Sequence, residues 1–161
     1  MSKRKRYRPK PVNPNVLALA GICQSKLTAD DQEARIAPPR LALEQITKGQ
    51  ASQDDWQAIF DVINMLDRFV KMPTVMRHGK DYLNTMQGVV KTILDRQKAT
   101  GTKAIYPGEL EDLRGLVDLW SELLATVTHR EYSMAEDRAH ARLVSVLRAR
   151  KPVPCVIVCE A

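Results

Sequence analysis

The stretch SQDDWQAIFDVINMLDRFV, residues 52–70, decides the fold. Trp56, Ile59, Phe60, Ile63, Leu66, Phe69 and Val70 recur at intervals of three and four, which puts them on one face of an α-helix. Ser52 stands at the N-cap position, and Asp54 and Asp55 place carboxylates at the positive end of the helix dipole. Pro73 closes the segment. At this spacing Trp56 and Phe60 are core residues rather than a ligand box. A stripe this wide has to be covered, so the chain on either side must supply partner helices.

Toward the C-terminus two more stripes follow. Residues 80–99 carry Leu83, Met86, Val89, Val90, Ile93 and Leu94, and Thr100-Gly101-Thr102 ends them. Gly88 inside this helix costs about 1 kcal/mol relative to alanine and predicts a close helix–helix approach. Pro107-Gly108-Glu109 opens the next helix, which carries Leu110, Leu113, Leu116, Val117, Trp120, Leu123, Leu124 and Val127. Helix-compatible sequence then runs on to Arg150. Unbroken, it would be about 65 Å long, wider than a small domain, so a break is expected within residues 128–133. The second half is amphipathic and basic, with Met134, Leu143, Val146 and Leu147 beside Arg138, Arg142, Arg148 and Arg150.

Toward the N-terminus, Leu41, Leu43 and Ile46 form a helix that stops at Lys48-Gly49. The Pro38-Pro39 pair is expected to restart a helix rather than to sit inside one. Thr28-Ala29-Asp30-Asp31 opens a separate short helix, and residues 16–22 a further one behind Asn13-Pro14. The prediction is all-α: a small helical bundle over residues 16–150, a disordered basic arm over 1–15 and an extended tail over 151–161. Val156, Ile157 and Val158 have strand propensity, but no second strand is evident to pair with them. No internal repeat is present.

Composition agrees. Of 161 residues 44% are apolar and only 5% aromatic, the mixture for an aliphatic core of helices packed on helices. No run approaches the roughly 20 apolar residues of a membrane span. The start MSKRKRYRPKP has the charge of a signal peptide, but residues 16–22 are too short for its apolar region, so a cytoplasmic protein is expected. Cys23, Cys155 and Cys159 are an odd set without Cys/His clustering, which argues against disulfides and zinc. No metal or cofactor is expected.

Catalytic signals are weak. HExxH, a nucleophile elbow and a phosphate-cradling glycine loop are all missing from the sequence. His129 near Glu131 and His140 near Asp137 read as surface helix pairs, and Glu109, Glu111, Asp112 and Asp118 as a solvated face. His78 falls in a loop. The connection Arg96-Gln97-Lys98-Ala99-Thr100-Gly101-Thr102-Lys103 has the composition of a phosphate-contacting loop without matching GxxxxGK[ST]. A polar link between helices explains it equally well. The reading is non-catalytic.

Charge says more. Lys3, Arg4, Lys5, Arg6, Arg8 and Lys10 are unaccompanied by any acid and account for the whole net charge of +6. The remaining chain is electrically balanced. Like charges with Pro9, Pro11 and Pro14 keep such an arm extended and solvated, suited to a polyanion whose condensed counterions it releases. Tyr7 among the arginines has the character of a base-stacking residue. Arg138, Arg142, Arg148 and Arg150 offer a second basic surface. The plainer alternative for the arm is a solubilising tail.

The segments KRKRYRPKPVNP (3–14), GQASQDDWQAIFDVIN (49–64) and ILDRQKATGTKA (93–104), taken together, resemble small helical proteins of bacteriophages, prophages and related mobile elements. The resemblance covers roughly residues 3–147 and implies a genetic setting inside a bacterial host cell, not an activity. Two functions follow as expectations. One is an accessory protein that binds nucleic acid or a nucleic-acid-containing host complex through the arm. The other is a protein-binding inhibitor of a host defence complex, acting through the C-terminal helix and tail. Self-association through that same end is also expected.

Overall fold

The computed structural model describes residues 21, 23–72, 75–76 and 79–149, and these are all-α. Five helices follow one another: α1 (Ala29–Thr47), α2 (Gln53–Val70), α3 (Lys80–Thr100), α4 (Pro107–Thr126) and α5 (His129–Ala149). Gly21, Cys23 and Gln24 also have helical backbone. The rest of the helix expected over 16–22, the arm and the tail lie outside the described residues. So do Pro73, His78 and Arg150.

The segment 52–70 is central, as its stripe requires. α2 packs against all four other helices. Around it α1, α2, α3 and α4 close a ring, each touching the next and α4 returning to α1, while the backbone of α5 comes close to α2 alone among the helices. Ile59, Leu66 and Phe69 of α2 meet Val90 and Ile93 of α3 and Leu113, Leu116 and Leu124 of α4 in one core. Trp56, Phe60, Ile63, Leu113, Trp120 and Leu124, picked out by their spacing, are all buried.

Local chemistry sets the helix ends. The Thr28 hydroxyl accepts the Asp31 N–H at 3.2 Å and starts α1. At α2 the Ser52 hydroxyl accepts from Asp55 N–H at 3.2 Å, and the Asp55 carboxylate accepts from Ser52 N–H at 2.7 Å, a reciprocal capping box. Gly49 and Gly101 take φ of 68° and 69° after α1 and α3, a conformation glycine adopts without steric cost. The expected break before α5 is present: Val127 is extended, and Thr128 begins a new capping box with Glu131.

Two expectations are corrected. Pro38 and Pro39 do not restart a helix; they sit inside the 19-residue α1. Their cost falls on the carbonyls they leave without donors, and above all on Arg35. Its i+3 and i+4 neighbours are both prolines, so its carbonyl has no helical donor at either position. The indole Nε1–H of Trp120, from α4, donates to that oxygen at 3.1 Å. The exposed Ala34, whose i+4 donor is also missing, can be solvated. Pro39 itself is buried, so its ring adds to the core. A tertiary hydrogen bond thus replaces the helical one.

Gly88, secondly, marks no close approach. It is exposed, and a Cβ built there would meet nothing within 4 Å.

Two stability changes follow. Gly88→Ala should stabilise by about 0.5–1 kcal/mol, since helix propensity and unfolded-state entropy both favour alanine and nothing is crowded. A raised urea midpoint at constant m-value would show it. Trp120→Phe should cost about 1–3 kcal/mol, because it leaves a part-buried carbonyl without its donor. In a Pro39→Ala background that cost should shrink, as alanine at this position supplies the missing N–H, and a double-mutant cycle reads the difference.

Candidate nucleic-acid interface

The orientation of α5 places the candidate surface. Thr128 N–H and its hydroxyl both donate to one oxygen of Glu131 at 2.9 Å, fixing the first turn. The chain before α1 is tied to this junction: Leu27 N–H donates to the Val127 carbonyl at 3.4 Å and His129 N–H to the Ser25 carbonyl at 3.0 Å. Inward, Tyr132 packs at 6.4 Å ring separation against both Phe69 and Trp120, and Ala135 is fully buried. The Arg35 guanidinium lies 4.3 Å over the Tyr132 ring. Burial pushes the Tyr132 phenol above its ordinary pKa, with Arg35 opposing.

With Tyr132 and Ala135 turned in, Arg130, Met134 and Arg138 fall on the outer side at i, i+4 and i+8. Together with Cys23, Gln24, Lys71, Met72, Thr128 and Glu131 they line an open groove of about 540 Å³. Its cations are Lys71, Arg130 and Arg138 and its one acid is Glu131, already held by Thr128. Beside it, the Asp67 carboxylate lies 2.7 Å from Lys71, 3.2 Å from Arg68 and 3.8 Å from Arg142. One anion shared by three cations leaves the wall of the groove positive. Cys23 stands on this rim, so the arm's six cations are covalently joined to it through the intervening chain.

The residues expected to bind nucleic acid are distributed as follows. Lys3, Arg4, Lys5, Arg6, Tyr7, Arg8, Lys10 and Arg150 lie outside the described residues. Arg138 is exposed in the groove. Arg142 turns to Asp67 and is three-quarters covered, so it supports the wall rather than the outer surface. Arg148 is exposed in the last turn of α5, about 15 Å along the axis from Arg138, and does not join the groove. Sequence reading missed Lys71 and Arg130. The four-residue spacing of Arg130, Met134 and Arg138 was the available signal. Lys71 comes from another helix end, and only the fold brings it in.

The basic connection after α3 has a different role. Arg96 forms a bidentate pair with Glu109, donates to the Ala104 carbonyl at 3.1 Å and lies 4.1 Å over the Tyr106 ring. It clamps α3 to the start of α4, so Arg96 is spent on structure. Glu109 is consequently not on a solvated face; both side chains of the pair are about five-sixths covered. His129 faces Asp31 at 3.7 Å rather than Glu131, and His140 is exposed. A second groove, lined by Met76, Gly79, Tyr82, Gly115, Asp118, Leu119 and Glu122, is acidic. Burial, then Asp112 and Asp118, push the Tyr82 phenol up.

The chain matches no protein-family model, no curated protein and no solved structure. Among the described residues, no helix is long and apolar enough to cross a membrane.

The Arg96 clamp has a pH signature. Its hydrogen bonds hold the Glu109 carboxyl below the ordinary carboxylate range, against the opposing effect of burial. A carboxylate whose folded pKa is depressed stabilises fully above its unfolded pKa, about 4.3, and that contribution is lost as pH falls through the folded value. Glu109→Gln should therefore be less stable than the parent at pH 7. The gap should narrow as pH falls below about 4, measured by urea unfolding at both pH values.

Proposed function

We propose that this chain is a non-catalytic nucleic-acid-binding accessory protein, of the kind carried by bacteriophages and mobile elements and working in the bacterial cytoplasm. The observation that carries the reading is the segregation of charge. The whole net charge of +6 lies in residues 3–10, and the described bundle adds a groove bearing Lys71, Arg130 and Arg138. A cationic arm and a set of fixed cations in one chain both suit a phosphate backbone, which rewards many weak contacts through counterion release. Arm and groove together put an electropositive region on an otherwise balanced body.

The second reading, a protein-binding inhibitor of a host complex, has one observation in its favour. Leu143 is 43% exposed on α5, an apolar residue that the bundle does not use. The same residue would serve self-association. The charge distribution favours the first reading.

Deleting residues 1–11 should weaken binding to a labelled duplex at least tenfold at low salt. It should also flatten the log–log salt dependence by up to about 5, at roughly 0.9 for each phosphate that the arm no longer neutralises. Fluorescence anisotropy over a salt series measures both. Equal affinity and equal slope for the full-length and shortened chains would defeat the proposal.

A further inference from the structure

The groove at the root of α5 holds something phosphate binding alone does not require. Its apolar lining is built from three sulfur side chains, Cys23, Met72 and Met134. Met72 is buried to 7% exposure and forms the floor, whereas Met134 stands 38% exposed. That makes Met134 one of only four large hydrophobic side chains exposed among the described residues. It is flanked one turn below and one turn above by Arg130 and Arg138, neither of which has an ion-pair partner among the described residues. Among the described residues Arg114 and Arg148, exposed elsewhere, also have no ion-pair partner, whereas Arg35, Arg40, Arg68, Arg96 and Arg142 are all paired with carboxylates.

Building on the nucleic-acid reading, we propose that this groove seats one unstacked base of a single-stranded nucleic acid against Met72 and Met134, with the neighbouring phosphates on Arg130 and Arg138. The volume of about 540 Å³ lies within the range of sites that take one small-molecule-sized group. Methionine sulfur makes favourable contacts with aromatic rings, and its flexible chain adapts to either purine or pyrimidine. The two methionines supply no base-specific hydrogen bonds, so their contact is sequence-tolerant and any discrimination among bases falls to polar lining such as Gln24. A duplex keeps its base faces stacked inside and presents only base edges and backbone, so no ring face reaches Met134. Preference for single strands is the consequence.

The test uses the full chain with a fluorescein-labelled oligothymidine, a matched duplex, and a single strand carrying 2-aminopurine. Met134→Gln keeps length and helix propensity while removing the sulfur contact, and its thermal midpoint checks the fold. It should lower the single-strand to duplex affinity ratio at least threefold and reduce the 2-aminopurine response seen with the parent. Arg130→Gln with Arg138→Gln should flatten the single-strand salt slope by about 1.4, at roughly 0.7 per phosphate. If Met134→Gln leaves the ratio and the 2-aminopurine signal as in the parent while the arm still governs duplex binding, the base seat is refuted and the proposed function stands. If the full chain binds neither single strand nor duplex, both fall together.

Discussion

Arg35 carries a carbonyl oxygen that its own helix cannot satisfy, because Pro38 and Pro39 occupy the two positions from which a helical donor would come. An acceptor shielded from water and left without a partner costs on the order of 1–3 kcal/mol, so the bundle must bring a donor to it. Trp120 does so from α4. The requirement fixes more than one bond, since an indole that reaches Arg35 also has a fixed ring plane. Phe69 of α2 and Tyr132 of α5 pack around that ring at 6.3 and 6.4 Å, and the Arg35 guanidinium closes over Tyr132. Four of the five helices α1–α5 of the described residues meet at this one node.

The node explains why α5 lies where it does. Only Val127 and Thr128 separate α5 from α4, yet its backbone packs on α2, and Tyr132 reaches back to the Trp120 ring of α4. Tyr132 supplies the aromatic anchor and Ala135 the close approach, while Asp67 draws Arg142 in from two turns further along. Anchoring one face of α5 settles the opposite face. Arg130, Met134 and Arg138 are left beside Cys23 because Leu27 and His129 tie the preceding chain to the same junction. The groove thus lies on the face of α5 that these anchors leave open.

This also accounts for what sequence reading reached. Caps and stripes depend on residues within a turn or two of one another, and Thr28, Ser52, Gly49, Gly101 and the stripe of residues 52–70 read correctly. Pro38-Pro39 misled because the rule against proline in a helix interior is local, while its remedy stands 85 residues away at Trp120. Gly88 misled in the other direction: a glycine in a helix fits a close approach, and only the packing shows open space beside it. The connection 96–103 stayed open between phosphate contacts and a polar link because the partner of Arg96, Glu109, lies across a turn on the next helix. Arg138 was legible as basic and helical, but its companions come from residues 23–24, 71–72 and 128–134, which no local pattern joins.

Arginine use separates the frame of the protein from its candidate surface. A buried guanidinium needs a carboxylate and well-placed acceptors, and Arg68 and Arg96 are both largely covered and both paired. Arg35 is more open but is held twice, by Asp31 and by the Tyr132 ring. Arg35 and Arg96 bind helices to one another, whereas Arg68 pairs with Asp67 of its own helix; moving Arg35 or Arg96 to an external phosphate would break a contact between elements. Among the described residues Arg130 and Arg138 have no such partner, so an external anion can take them without breaking a described contact. Lys71 is intermediate, since Asp67 retains Arg68 and Arg142 when Lys71 swings outward. Three cations that the frame can spare therefore line the same groove as Met134.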